Sequence, residues 1–202
     1  MSQRKGLHAI LELPFFYNLV QGIFYHAKTK HEWDEAIGDY AGKNIFDIGC
    51  GPGRDAPEFV GANYYGFDIS PVYIKEAQEK YGKFGTFICS SVDDLSSIWL
   101  PKFDVILMKG VLHHLSDEQL KNMLPIIKNL LNHNGKLITL DPTLLTHQNP
   151  IARFLVKSDR GINVRRDSEY KSLLNSSFSR IQSKLIHQSL PPYDRYLIIA
   201  EK

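Results

Sequence analysis

Gly49, Gly51 and Gly53 stand at alternate positions directly after a short apolar run, Ile45-Phe46-Asp47-Ile48. Glycine lets a backbone bend sharply and come close to a ligand without side-chain clash. A β-type run that ends in such a bend and then opens a helix offers unpaired N–H groups to a carboxylate or phosphate. A glycine bend alone says little. Here an acid, Asp68, closes the next β-type run, 19 residues after Gly49. A carboxylate at about that offset can bind both hydroxyls of a ribose. The spacing also separates two cofactor classes: the dinucleotide fingerprint is Gly-x-Gly-x-x-Gly, whereas this chain has Gly-x-Gly-x-Gly followed by Arg54. Asp47, just before the bend, would repel a pyrophosphate and favour a cationic ligand.

A second group of reactive residue types follows a later apolar run. In Val111-Leu112-His113-His114-Leu115 the two imidazoles are adjacent and cannot share a face, so one of them should point toward the pocket. A neutral imidazole accepts a proton near pH 7, which makes His114 the first candidate base and His113 the second. Packing beneath the sheet edge is the alternative for His114. Further on, Arg160, Arg165 and Arg166 are planar, permanently charged donors suited to carboxylate or phosphate, with salt bridges to Asp159, Asp167 and Glu169 as the alternative. Near the start of the chain Tyr17, Gln21 and Tyr25 are spaced four apart and can share one helix face, either lining a pocket or packing as a core stripe.

Elements with a regular pattern must hold these groups. Apolar residues at 16, 19, 20, 23 and 24 follow helical spacing, and a second short helix is expected over Glu32 to Tyr40. From residue 44 short β-type runs (Asn44–Ile48, Asn63–Phe67, Gly85–Cys89, Asp104–Met108, Lys136–Leu140) alternate with helical patterns near Asp55–Val60, Pro71–Tyr81 and Ser116–Asn132. That alternation predicts right-handed crossovers and a mostly parallel sheet covered on both faces. Ser116 with Gln119 forms a capping box, and Asn134-Gly135 supplies a helix stop. Asp141 to Asn149 reads as a loop, followed by short helices over Ile151–Lys157 and Asp167–Asn175. Two last β-type runs, Phe178–His187 and Tyr193–Ala200, have no long helix between them and should pair antiparallel at the sheet edge.

Composition sets the outer bounds. The 202 residues suit one domain, and 43% hydrophobic with 23% charged residues is a globular balance. Two cysteines, Cys50 and Cys89, are too few for a disulfide framework or a four-cysteine zinc site. No apolar run is long enough for a membrane span, and no signal-type block opens the chain, so a soluble cytoplasmic protein is expected. The net charge of +2 gives no argument for nucleic acid. Residues 1–150 hold 14 Lys/Arg against 17 Asp/Glu and residues 151–202 hold 10 against 5, a basic tail that can face an anionic substrate, a membrane surface or water.

The run Phe46-Asp47-Ile48-Gly49-Cys50-Gly51-Pro52-Gly53 resembles the first motif of the class I S-adenosylmethionine-dependent methyltransferases. The resemblance continues through Tyr65–Ser70, through Phe103–Ile106 with Val111–Leu115, and through Leu130–Leu137, four motifs in order over residues 44–141. It implies an α/β fold, Rossmann-like and doubly wound, with a mostly parallel seven-stranded sheet and an antiparallel C-terminal edge hairpin. It also implies a single domain over 1–202, with a helical cap in 1–42, a cofactor-binding core in 43–141 and a substrate-side segment with edge strands in 142–202. The implied cofactor is S-adenosylmethionine, leaving S-adenosylhomocysteine, with no metal.

By the same resemblance Asp47 lies near the amino acid end of the cofactor, Gly49 and Gly51 line it, Gly53 allows the close turn, Asp68 holds the ribose and Ile69 packs on the adenine. Many relatives place an acid after the third strand against the adenine amino group. Ser91 with Val92 stands there instead, a departure that leaves Asp93 as the alternative. The Met108 backbone passes beside the methionine part, while Tyr17, Tyr25, Arg160 and Arg165 fall on the substrate side. The expected activity is methyl transfer to a small-molecule acceptor (an anionic sugar, a lipid or a secondary metabolite) by a monomer or homodimer. An RNA or protein methyltransferase is disfavoured by the near-neutral charge and the lack of an appended binding domain. A non-catalytic cofactor-binding partner protein is disfavoured by the intact Asp47, glycines and Asp68.

Overall fold

A computed structural model describes residues 27–159 and 161–202. The expected N-terminal helix with Tyr17 and Tyr25, and also Arg160, lie outside the described residues. Seven strands, β1 (Asn44–Ile48), β2 (Asn63–Asp68), β3 (Gly85–Cys89), β4 (Phe103–Lys109), β5 (Leu131–Pro142), β6 (Arg180–Ser189) and β7 (Pro192–Glu201), form one sheet in the order β3-β2-β1-β4-β5-β7-β6. β1 to β5 pair parallel, and β7 pairs antiparallel to both β5 and β6. This is the Rossmann-like, mostly parallel sheet with an antiparallel edge hairpin. The strand order reverses between β1 and β4, where an open α/β sheet leaves its ligand crevice.

Successive side chains in a strand point to opposite faces, and here neighbours are buried on both. Phe46, Ile48, Ile106, Met108 and Leu137 join a core with α3 (Asp117–Leu130) and α5 (Asp167–Asn175). Ile45, Val105, Leu107 and Ile138 join the opposite core with α1 (Ala27–Ile37) and α2 (Pro71–Tyr81). That two-sided covering is why the strands read as continuous apolar runs rather than alternating ones. Each such fully buried side chain contributes roughly 1.5–3 kcal/mol. The short α4 (Pro150–Lys157) packs on β7.

Local sequence sets the ends of the helices. Ser70 accepts a hydrogen bond from Tyr73 N and Pro71 follows at the first helical position, starting α2. Ser116 and Gln119 close a reciprocal capping box at α3. Gly38, at φ +66°, ends α1, earlier than the expected Tyr40.

Two expectations need correction. The helix expected over Asp55–Val60 is only a four-residue 3-10 turn, Ala56–Phe59. Pro57 lacks an N–H there, and Gly61 at φ +94° leads the chain away. The N–H groups of Gly49, Cys50, Gly51 and Gly53 are bonded within the protein, to Phe67 O, Asp68 Oδ2 and Cys50 O, so the bend offers an open backbone surface and no row of helix-end donors. In addition, α3 stops at Leu130 and runs straight into β5, so Asn134-Gly135 lies within the strand and the acid expected in a loop, Asp141, lies at its far end.

Candidate functional site

Three glycines of the bend do different work. Gly49 turns at φ +79°, its N–H donates to Phe67 O at 2.7 Å, and a Cβ there would come within 2.4 Å of Val111 Cγ2. Only glycine lets the segment after β4 close on the bend. Gly53, at φ +74°, is packed equally tightly against Phe87 and Ala77. Gly51 is also in the left-handed region, at φ +54°, but a Cβ there would meet nothing within 4 Å. Its outer side is an open cradle at the strand ends.

Asp68 ends β2 opposite this cradle. Its Oδ2 accepts Gly51 N at 2.9 Å and its Oδ1 accepts Ser70 N at 2.8 Å. A carboxylate has about four acceptor sites, so both oxygens keep capacity for hydroxyl donors. Ile69 follows with 71% of its surface exposed, an apolar face beside the acid. Ser91 accepts Asp93 N at 3.2 Å and caps a 3-10 turn over Val92–Ser97. Its hydroxyl is engaged in that cap, and Val92 is half-buried against the core. The Met108 side chain is fully buried in the core, leaving only its backbone to meet a ligand.

Beneath the bend lies a charged group that the spacing alone did not show. Asp47 is buried and accepts the Tyr64 hydroxyl at 2.6 Å. Burial, then the negative charge of Asp55, push its carboxyl up to about 7, with the Tyr64 bond and the Lys109 charge opposing. Lys109, at the end of β4, pairs with Asp55 just past the bend. A buried acid beside an Asp–Lys pair suits a ligand carrying both an ammonium and a carboxylate.

The second half of the crevice gathers around His113. The imidazole is 4% exposed. Its Nδ1 lies 2.7 Å from Asp141 Oδ1 and its Nε2 3.1 Å from Asp159 Oδ1. Burial opposes the charged ring, but the hydrogen bonds and charges of the two carboxylates outweigh it and raise the pKa to about 9. Both nitrogens donate, so His113 as it stands has no nitrogen free to accept a proton. The ring contact to His114, which is exposed, is 4.2 Å between centroids. It is thus His113, not His114, that packs below.

Asp159 also accepts the Tyr193 hydroxyl at 2.9 Å and Gly161 N at 3.1 Å. The hydrogen bonds from His113, Gly161 and Tyr193, with the His113 charge, hold it well below the usual carboxylate range although burial works the other way. Asp141 and Asp159 were missed as site residues, whereas Tyr193, after Pro191-Pro192, reads from the sequence either as closing the pocket or as the start of a strand. An acid closing the apolar run Lys136–Leu140 was the one available signal.

Arg165 requires a correction. It does not face a substrate: the side chain is buried, and all five of its N–H donors are used. Nε and one Nη2 donor go to Asp117 Oδ1, the Nη1 pair goes to Leu112 O and Asn163 O, and the other Nη2 donor goes to Leu115 O. Arg165 instead fixes the His113 turn from behind. A cleft of about 500 Å³ beside it, lined in part by Lys121, Val164 and Ser172, includes none of Gly49, Asp68, His113 or Asp159.

With this geometry in hand, residues 45–135 match the family model described as a methyltransferase domain. Over 90 residues the chain is 31% identical to the ubiquinone biosynthesis O-methyltransferase of Thiobacillus denitrificans, covering 42% of this chain and 39% of that enzyme. The pyocyanin biosynthetic protein PhzM superposes with a TM-score of 0.70 at 14% identity, over 96% of this chain and 61% of PhzM. A methyltransferase structure from Archaeoglobus fulgidus superposes with a TM-score of 0.69 at 16% identity, over 93% of this chain and all of that one. The chain carries a class I S-adenosylmethionine-dependent methyltransferase domain.

The methyltransferase domain's residues fit S-adenosylmethionine. The open side of Gly51 is a cradle that any Cβ would fill, and beside it stand a carboxylate, Asp68, that could hold ribose hydroxyls and an exposed apolar side chain, Ile69, that could meet an adenine. Asp47, Asp55 and Lys109 supply both charges that a zwitterionic amino acid end needs. Among the described residues no helix is long and apolar enough to cross a membrane.

Proposed function

We propose that this domain transfers a methyl group from S-adenosylmethionine to an oxygen of a small molecule. The match covers only 39% of the Thiobacillus denitrificans relative, and the reading takes its support from the crevice and from the O-methyltransferase activity named for that relative. The observation that carries it is the pairing of Gly51 N with the Asp68 carboxylate beneath an open cradle at the switch point of the sheet. When bound, the cofactor supplies a methyl group on a sulfonium. Asp68 holds hydroxyls, Asp47 faces the ammonium, and Gly49 and Gly53 keep the bend closed around the ligand. The segment 142–202 brings Asp159 and Tyr193 to the acceptor side, which supports one domain with a core over 43–141. Methyl transfer needs the acceptor in line, about 3–3.5 Å from the carbon, and water kept out.

Calorimetry with S-adenosylhomocysteine and with NAD tests the reading: binding is expected for the first alone, and the reverse would overturn it. Asp68→Ala removes an acceptor from Gly51 N and from the ribose hydroxyls. A loss of roughly 1.5–3 kcal/mol, or about 10- to 100-fold in affinity, is expected for a hydrogen bond to a charged group.

A further inference from the structure

Asp159 is held as a ligand would be held. It comes from the loop after α4, and its side chain keeps 30% of its surface exposed. Donors from three places in the sequence converge on its carboxylate: His113 Nε2 and Gly161 N on Oδ1, and the Tyr193 hydroxyl on Oδ2. Gly161 belongs to the same loop as Asp159. His113 and Tyr193 are both buried and belong to the framework.

Asp141 is a different kind of partner. It is 1% exposed at the end of β5, its Oδ1 accepts both Nδ1 and the backbone N of His113, and its Oδ2 is buried without a partner. Asp141 already takes the Nδ1 proton of the ring. Asp159 is then a second carboxylate on one imidazolium and leaves the trio with one negative charge in excess, which a protein interior tolerates poorly. The site also borders the cofactor crevice. His113 Cε1 lies 3.6 Å from where a Cβ of Gly110 would stand, and the adjoining Val111 packs on Gly49.

We propose that His113 Nε2 and the Tyr193 hydroxyl form the subsite for an oxyanion of the methyl acceptor, a carboxylate or an ionised phenol or enol, and that Asp159 fills this subsite until the acceptor replaces it. The proposal rests on the methyl-transfer reading above. An acceptor of this class forms its O–C bond with its own electron pair, while the C–S bond breaks and its pair passes to sulfur, neutralising the sulfonium. No proton leaves, so His113 keeps its protons and acts as the anchoring cation rather than as a base. Gly161 explains how the loop reaches the ring. A Cβ there would lie 1.8 Å from His113 Cδ2, so only glycine lets the backbone rest on the imidazole while Asp159 bonds to it.

The test uses the full chain saturated with S-adenosylhomocysteine, whose binding is first measured by calorimetry. Formate and acetate are titrated into Asp159→Ala while the ring resonances of His113 are followed by NMR. A saturable shift is expected, at least tenfold tighter than in the unaltered protein, where Asp159 competes, and weakened at least tenfold when Tyr193→Phe is added. No saturable shift overturns the proposal and leaves the methyl-transfer reading standing. Absent binding of S-adenosylhomocysteine overturns that reading instead, and the carboxylate titration still decides the subsite. A second arm needs no variant. In the unaltered protein, benzoate and ionised 4-nitrophenol should shift His113 at lower concentration than benzamide and 4-nitroanisole, and equal responses within each pair would overturn the assignment.

Discussion

Gly51 and Asp68, the paired groups at the cofactor end of the crevice, are 17 residues apart in the chain, whereas His113 and Asp159 at the acceptor end are 46 apart, and Tyr193 lies 34 beyond Asp159. The cofactor end is built mainly from backbone. Its bend is closed by N–H groups that donate to Phe67 O and Asp68, its shape comes from missing side chains, and its strands are neighbours in the sheet. The acceptor end is built from side chains carried by β5, β7, a turn and a loop. A site shaped by missing side chains tolerates no added one, as the tight contacts at Gly49 and Gly53 require. One made of side chains changes its chemistry with a single residue. On the proposed reading the two ends can therefore vary independently, the first fitted to the cofactor and the second to the acceptor.

The strongest way to break that comparison is to load each end with one methyl group. Gly49→Ala puts a Cβ 2.4 Å from Val111 at a φ of +79°. Strain and overpacking together should cost about 2–5 kcal/mol, and calorimetry should show S-adenosylhomocysteine binding lost. Gly161→Ala puts a Cβ 1.8 Å from His113, but the loop can yield. Affinity for S-adenosylhomocysteine should stay within about threefold, roughly 0.6 kcal/mol, while the His113 ring resonances move. If Gly161→Ala abolished cofactor binding as Gly49→Ala does, the two ends would be one unit.

Arg165→Met sharpens the comparison from behind the acceptor end. It removes the Arg165 donors from the carbonyls of Leu112, Leu115 and Asn163, of which Leu112 O keeps the Leu115 N–H. A loss of about 2–4 kcal/mol in urea unfolding is expected, with little change in S-adenosylhomocysteine affinity. Arg165→Lys should recover only a small part, since an ammonium cannot reproduce a planar fork with five donors.

The same division explains what could be read from the sequence. The central strands β1 and β4 were legible because each is a short apolar run buried on both faces, and the edge pair β6 and β7 because no long helix separates their β-type runs. Gly49, Gly51, Gly53 and Asp68 were legible because a strand, a bend and the next strand place them together through local connections. Arg165 was misjudged because sequence shows a charge but not the three carbonyls that consume it. Asp159 appeared only as a salt-bridge partner for arginines, since nothing in 46 residues of intervening chain announces that it meets His113. The 3-10 turn after the bend shows the limit at short range, where one proline and one glycine outweigh an otherwise helical composition.

The smallest expected effect is a difference in pH response between the two ends. Asp47 has a folded pKa of about 7 against 3.8, and His113 about 9 against 6.5. Both are raised, so in each window the folded state binds more protons than the unfolded state, and stability must fall as pH rises. The Asp47 contribution is complete below about pH 4 and lost by about 7, as burial and the Asp55 charge come to act on an ionised carboxylate. The His113 contribution is complete below about pH 6.5 and lost through about 9, as the ring loses the charge that its two carboxylates hold. Asp159, shifted down by its donors and the His113 charge, acts in the opposite sense only in acid, below the ordinary carboxylate pKa of about 4. Urea unfolding between pH 5 and 9.5 should therefore show two declines of about 1–3 kcal/mol each. Asp47→Asn should remove the first and His113→Gln the second. S-adenosylhomocysteine should suppress only the first, because its ammonium beside Asp47 favours the ionised acid, with proton release visible by calorimetry near pH 6.5 in buffers of different ionisation enthalpy. Binding without proton release would move Asp47 away from the ammonium and leave the cofactor end with Asp55 as its acid.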